Sequence, residues 1–281
     1  MLQPNVTQRN SANPSAVVDG NRVLLFFDDA DAIAANKKLY FAASHNAGAS
    51  WGPPVPLRDS NGAHLSGVSG PGNSAVALPN GVLLHAVYHV NKSVPRNESF
   101  SHAQILRSTD GGASWSNALL FPHLGEPSLV VLPNGDLVFN SRCPDGRKPY
   151  PGPAQPCDCN CRATAFSRDG GLTWSATSYD SALPDPDCEG AVLGLANGSV
   201  AFSNANDAHS RRNPSVRLGE LVVQGDLEWA ANATQLATAT TSAGYSALFQ
   251  RPDGRVGVLW ETEGDVPGCR GQGCSVAVSF L

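Results

Sequence analysis

One local pattern occurs five times along the sequence, and this repetition constrains the fold more than any other feature. An apolar run, an Asn-Gly or Asp-Gly pair and a second apolar run recur at Ser15–Phe27, Ser74–Val87, Ser128–Asn140, Ala191–Ser203 and Ala247–Glu261. Such pairs suit the tight turn of a β-hairpin, because its central residues need a positive φ. Successive turn glycines are 54 to 63 residues apart, so each unit can hold a small antiparallel sheet.

A second pattern follows the hairpins in phase with them. It reads Ser-x-Asp/Asn-x-Gly-x-Ser/Thr-Trp and occurs at Ser44–Trp51, Ser108–Trp115 and Ser167–Trp174, with a worn fourth copy ending at Trp229. The Asp or Asn and the hydroxyls can bond backbone N–H groups in a turn, and the Trp can fold back as an apolar plug. We interpret these octapeptides as structural turns between the outer strands of each unit, with a functional role of their acids as the alternative.

These repeats predict an all-β fold. No polar/apolar pattern holds a helical period for more than two turns, and Gly and Pro are spread along the whole chain. Four short antiparallel strands repeated radially form a β-propeller. We therefore predict a single propeller domain over residues 1–281 with about five blades.

Charge and hydropathy exclude several classes of partner. The formal net charge is −5 and no run of 18 apolar residues occurs, so we expect neither a nucleic-acid partner nor a membrane span. Five glycosylation sequons and cysteine-rich loops favour a secreted or lumenal protein, although Met1–Ser11 is too polar for a signal peptide.

The seven cysteines leave two interpretations open. Cys157, Cys159 and Cys161 could suggest a metal, but their spacing differs from that of paired zinc ligands. Cys269 and Cys274 could instead close a loop by a disulfide. We expect no metal and no cofactor.

Charged and phenolic residues stand at the ends of the predicted inner strands. They are Glu126, Arg142, Arg211, Arg212, Tyr245 and Glu261. Because the loops on one face of a propeller build its site, these side chains could converge on an anionic ligand. Arginine is favoured there because its fork pairs with a carboxylate bidentately. The alternative is a set of surface ion pairs, each worth about 0–1 kcal/mol.

The octapeptides are similar to Asp-boxes, and the chain resembles the exo-α-sialidase (neuraminidase) family of six-bladed BNR-repeat propellers. Several segments match family segments in order: Gly67–Gly72, Glu126–Arg142, Asp187–Leu193, Phe202–Arg217, Gly244–Leu248 and Gly257–Glu261. The resemblance implies a glycoside hydrolase that removes terminal sialic acid, or a related acidic sugar, from glycoproteins, glycolipids or oligosaccharides.

The resemblance also implies a role for each matched residue. Tyr245 would be the nucleophile, Glu126 its general base, and Arg142 and Arg211 the ligands of the substrate carboxylate. A neutral phenol suits this substrate because an anionic nucleophile would be repelled by the carboxylate on the anomeric carbon. Glu261 would occupy the position that supports another arginine in the family.

One part of the family pattern is missing. The first-blade Arg and the acid/base Asp have no matching motif, and the opening unit resembles the family's second blade. The chain is therefore expected to be N-terminally incomplete, or to use Arg9 with Asp28, Asp29 or Asp31 as stand-ins. Loss of the acid also leaves a second hypothesis, a propeller that binds acidic glycans without turnover.

Overall fold

The computed structural model describes residues 11–29, 37–90, 101–143, 159–222, 227–263 and 275–281. Throughout these ranges the regular structure is β-strand, which confirms the all-β prediction. Contacts divide the chain into two compact units, Met1–Pro127 and Ser128–Leu281. Nowhere in the described ranges is there a helix of the length and apolarity that crossing a bilayer requires.

The first unit contains two antiparallel sheets. The first sheet has the order β1-β2-β3-β4, with strands Ser11–Asp19, Arg22–Asp29, Leu39–Ser44 and Val55–Pro56. The second has the order β5-β7-β8-β9, with β6 also paired to β7; its strands are Val68–Ser69, Ala75–Ala77, Leu83–Val90, Ser101–Ser108 and Ser116–Pro122. The two sheets bury a shared core that includes Phe26, Phe41, Val87 and Trp115.

The second unit contains three sheets. One is β10 to β13 in order: Gly125–Val131, Leu137–Arg142, Cys161–Ser167 and Ser178–Pro184. The first three residues of β10, Gly125 to Pro127, are counted with the first unit. The next runs β14 to β17, with β18 paired to β16: Ala191–Gly194, Val200–Ala205, Pro214–Leu221, Leu227–Trp229 and Thr234–Gln235. The last is β19 to β21: Ser246–Gln250, Val256–Thr262 and Ser275–Phe280.

All five predicted hairpins are present. Each turn glycine has a positive φ, from 60° at Gly20 to 97° at Gly198. The last sheet differs from the others because it has three strands among the described residues. Its outer strand β21 exposes Val276, Val278 and Phe280, each by 47% or more.

The three octapeptides share one hydrogen-bond pattern, which supports their structural interpretation. The Ser44, Ser108 and Ser167 hydroxyls each accept from a glycine N–H over 2.9 Å. The Asp110 carboxylate then accepts from the backbone N–H and hydroxyl of Ser114 over 2.9 and 2.6 Å. The worn fourth copy lies partly outside the described residues, and its Trp229 belongs to β17.

We expect Asp110→Asn to change the pH dependence of stability. Hydrogen bonds from Ser114 lower the pKa of Asp110 to about 2. The stabilisation is therefore complete above the unfolded pKa, about 3.9, and is lost as the pH falls through about 2. Asn46 fills the same position in the first octapeptide without a charge, accepting from the Ser50 N–H over 2.8 Å.

The measurement is the melting temperature of both proteins at pH 7 and near pH 2. The variant should melt lower than the wild type at pH 7, and the difference should shrink near pH 2. Glu228→Gln, on an exposed position of β17, is the matched control. An Asp110→Asn difference that is equal at both pH values would contradict this account of the turn.

The cysteine-rich run is only partly described. Cys159 and Cys161 form a disulfide, so these two sulfurs cannot serve as thiolate ligands, and Cys143 is disulfide-bonded as well. Cys157, Cys269 and Cys274 lie outside the described residues.

Candidate active site

Two of the predicted site arginines, Arg142 and Arg211, form hydrogen bonds to the same residue, Asp187. Arg142 is the last residue of β11, and its Nε and Nη2 atoms are each 2.7 Å from Asp187 Oδ1. Arg211 follows β15, and its Nη2 atom donates to the backbone oxygen of Asp187 over 2.6 Å. The structure thus brings both arginines to one point of the second unit, as a clamp for a carboxylate requires.

The neighbouring Arg212 points to a different partner. Its side chain is 47% exposed, and its Nε atom lies 3.0 Å from Asp207 Oδ2. An exposed pair of this kind contributes little to stability. Arg211, and not Arg212, therefore shares Asp187 with Arg142.

Asp187 has an unusual backbone conformation. It lies between β13 and β14 with a φ of 59°, a left-handed conformation that Asp and Asn tolerate better than most residues. Its side chain is 30% exposed and that of Arg142 is 17% exposed. The Asp187 carboxylate therefore competes with any bound anion for the Arg142 guanidinium.

A fully buried arginine fixes the segment that carries Asp187. Arg162 has no exposed surface; it donates to Asn140 Oδ1 and to the Cys188 carbonyl, both over 2.8 Å, and pairs with Asp185 Oδ2 at 3.3 Å. Asp185 accepts in addition from the Cys143 and Cys188 N–H groups. Burial raises the pKa of Asp185, and the Arg162 charge partly opposes that rise.

Tyr245 and Glu261 are joined at the start of β19 and the end of β20. The Glu261 N–H donates to the Tyr245 carbonyl over 2.8 Å, and the Tyr245 N–H donates to Glu261 Oε2 over 3.1 Å. Gly244 allows this contact, since a Cβ there would lie 2.5 Å from Glu261 Oε2. Glu261 thus has a backbone partner in this chain, where the family pattern has an arginine.

Further contacts place this pair beside the arginines. The Ala243 N–H donates to the Arg211 carbonyl over 3.0 Å. The Ser246 N–H donates to Glu189 Oε2 over 2.7 Å, and Glu189 is 1% exposed. Residues on both sides of Tyr245 therefore form hydrogen bonds to the site. Ala243 bonds to Arg211, and Ser246 bonds to Glu189. Arg142, Arg211, Tyr245 and Glu261 form one connected group in the second unit.

Glu126 belongs to the first unit. It is the second residue of β10, its side chain is 6% exposed, and its φ is 43°. A positive φ is rare for a long side chain and costs on the order of 1–3 kcal/mol, and such strain clusters at functional sites. The backbone of Glu126 is thus consistent with a functional carboxylate at the start of this strand.

The structure removes Asp28 as a stand-in for the missing acid. Asp28 is fully buried and pairs with Lys37 Nζ at 2.6 Å. Its other carboxylate oxygen accepts from Asn13 Nδ2 and from the Ser69 N–H. These bonds make Asp28 a structural residue of the first sheet. Asp29 ends β2, whereas Arg9 and Asp31 lie outside the described residues.

Sequence reasoning missed the residues that position the site. Arg162 and Asp185 were not selected, and Asp187 and Glu189 entered only as part of a matched segment. The one available signal for Arg162 is a charged residue at the start of a run that otherwise reads as a buried strand, Cys161–Phe166. Nothing in the sequence pairs it with Asp185.

A family model, the BNR repeat-like domain, matches residues 3–258. The chain belongs to this family. The match begins before the first hairpin and ends at Val258 within β20, and it confirms the resemblance drawn from the octapeptides.

Two curated relatives of this BNR repeat-like chain are exo-alpha-sialidases from fungi. The one from Arthroderma benhamiae is 24% identical over 278 residues, covering 89% of this chain and 62% of the relative. The one from Aspergillus fumigatus is 28% identical over 238 residues, covering 81% of this chain and 51% of the relative. The chain therefore spans less than two thirds of the length of either relative.

Solved sialidase structures share the fold. The K499G mutant of NanB sialidase from Streptococcus pneumoniae matches with a TM-score of 0.64 at 21% identity, covering 82% of this chain and 33% of that one. Trypanosoma rangeli sialidase matches with a TM-score of 0.61 at 17% identity, covering 94% and 44%. The described sheets are thus five blades of a sialidase-type propeller.

Proposed function

We propose that this chain carries the substrate site of an exo-α-sialidase-type glycoside hydrolase. The observation that supports this most is the placement of Arg142 and Arg211 on a single residue, next to the segment that presents Tyr245. Two guanidinium groups offer a carboxylate more than one charge-assisted hydrogen bond. Sialylated glycoproteins, glycolipids or oligosaccharides in a secreted or lumenal compartment are the proposed substrates.

In the proposed mechanism, the Tyr245 phenol oxygen attacks the anomeric carbon and the bond to the aglycone oxygen breaks. The aglycone leaves as an oxyanion that takes a proton from solvent. The family resemblance gives Glu126 the role of the general base that takes the phenol proton. Arg142 and Arg211 hold the substrate carboxylate, and Glu261 fixes the Tyr245 backbone through its hydrogen bond. Water then releases the sugar from Tyr245, so the anomeric configuration is retained.

A second candidate is a propeller that binds acidic glycans without turnover. The burial and ion pairing of Asp28 favour it, because they make that carboxylate a poor general acid for the departing aglycone. An aryl sialoside separates the two candidates, since an aryl leaving group barely needs protonation. Hydrolysis of this probe, with the matching aryl galactoside left intact, would support the enzyme.

Two other results would favour the glycan-binding candidate or exclude both candidates. Binding of free sialic acid without hydrolysis of the aryl sialoside would favour the glycan-binding propeller. A folded protein that neither hydrolyses the aryl sialoside nor binds sialic acid would overturn both candidates.

We expect Asp187→Asn to strengthen binding of sialic acid. Asn tolerates the left-handed backbone and keeps an oxygen acceptor, but it removes the charge that holds Arg142. The freed guanidinium should raise the affinity by up to about tenfold, or about 1.4 kcal/mol. Titration calorimetry with sialic acid measures it.

The matched control for this experiment is Asp207→Asn. Asp207 pairs with the exposed Arg212, so its loss should leave the affinity for sialic acid unchanged. Weaker binding by Asp187→Asn would show that Asp187 supports the bound ligand instead of competing with it.

A further inference from the structure

The second sheet carries a cavity that the proposed function does not use. Its volume is 390 Å³, which lies in the range of small-molecule sites, about 300–1,000 Å³. All of its lining residues belong to the first unit; they are Leu65, Ser66, His89, His102, Gln104, Leu106, Asn117 and Leu120. One wall is formed by β7, β8 and β9, and the other by the loop that contains Leu65 and Ser66.

Imidazole groups dominate one end of this cavity. His89 and His102 lie directly opposite each other on β7 and β8. His89 Nε2 lies 2.7 Å from Gln104 Oε1, which makes Nε2 the protonated nitrogen of that ring because an amide oxygen only accepts. The Gln104 amide nitrogen remains a donor. The ring centroid of His123 lies 5.9 Å from that of His102.

The groups around the cavity suit an anion because an ammonium group adjoins the lining residues and no carboxylate is among them. Burial lowers the pKa of His102, and repulsion from His123 and His89 lowers it further. Lys38 Nζ donates to Ser66 Oγ over 2.9 Å, so an ammonium group adjoins the opposite wall. The lining residues include no Asp or Glu. A bound anion would offset the repulsion among these groups and favour protonation of His102.

The remaining lining fits a sugar ring. Leu65, Leu106 and Leu120 offer apolar surface for ring C–H groups, and Ser66, Gln104 and Asn117 offer donors and acceptors for hydroxyls. We propose that this cavity binds the carboxylate of an acidic monosaccharide, and that His102 takes up a proton from solvent when the sugar binds. The lining residues of this cavity include none of the residues named in the proposed hydrolase site.

The test uses the full chain with glucuronate and glucose, which differ only in the carboxylate. Titration calorimetry is run at pH 6 and pH 8, and at pH 6 in two buffers of different ionisation enthalpy. Glucuronate should bind at least about tenfold more tightly than glucose. Its affinity should fall from pH 6 to pH 8, and the buffers should reveal proton uptake. Equal binding of the two sugars, no binding, or no proton uptake would overturn the proposal.

Three variants locate the site. His102→Gln should lower the affinity for glucuronate about tenfold and abolish proton uptake. Leu120→Glu places a carboxylate at a position that is 51% exposed, where the substitution should not disturb folding, and it should repel the ligand. His45→Gln, at an exposed position of the first octapeptide, is the control and should bind as the wild type does. Wild-type affinity in Leu120→Glu would exclude this cavity as the site.

Discussion

Tyr245→Phe is expected to abolish hydrolysis of an aryl sialoside, lowering kcat by roughly 1,000-fold or more, as removal of a nucleophile does in other hydrolases. Phenylalanine cannot form the bond to the anomeric carbon. The Tyr245 backbone is held by two hydrogen bonds to Glu261, so the variant should keep the local structure. Affinity for sialic acid should change little, because the carboxylate clamp of Arg142 and Arg211 remains.

The matched control for Tyr245→Phe is Tyr179→Phe. Tyr179 is a half-buried tyrosine of β13, and burial raises the pKa of its phenol. That variant should hydrolyse the aryl sialoside at the wild-type rate. Single-turnover kinetics with the aryl sialoside measure the chemical step. If Tyr245→Phe retains wild-type turnover, Tyr245 is not the nucleophile, whatever the fold.

The hairpins and octapeptides could be predicted because their causes are local. An Asn-Gly or Asp-Gly pair predicts a positive φ at its glycine, as found at Gly135 and Gly254. The octapeptide bonds join residues two to four positions apart, such as Ser108 and Gly112. The residues that form these turns all lie within a short window of sequence. The sequence alone therefore predicts the five units and their order.

The grouping of the site residues could be predicted only through the family resemblance. The residues that position them, such as Arg162 and Asp185, could not be predicted. Arg142 contacts Asp187, which is 45 positions later in the sequence. Arg162 contacts Asn140, which precedes it in the sequence, and Cys188, which follows it. Such contacts depend on how the strands of one sheet align with each other and with the loop that follows its last strand. No spacing rule links Arg162, a buried arginine in β12, to Asp185, a carboxylate in the loop that follows β13.

Arg162→Met is expected to destabilise the protein by about 3–5 kcal/mol, because it leaves the buried Asp185 charge without its partner. The loss should also loosen the segment with Asp187 and Glu189, since Arg162 donates to the Cys188 and Gly190 carbonyls. Urea unfolding at pH 7 measures the free energy. Arg255→Met is the control: Arg255 pairs with Asp253 on the exposed surface, and little change is expected there.

The pH dependence tests the cause of this destabilisation. Burial raises the pKa of Asp185, and removing Arg162 removes the charge that opposes the rise. A carboxyl whose folded pKa is raised binds more protons in the folded state, so its contribution to stability falls as the pH rises above the unfolded value. The deficit of Arg162→Met relative to the wild type should therefore shrink as the pH is lowered from 7 towards the unfolded pKa, about 3.9, because the raised pKa lets Asp185 bind its proton before the unfolded chain does. A deficit that is constant over this range would assign the loss to packing against Phe202 instead of to the buried charge.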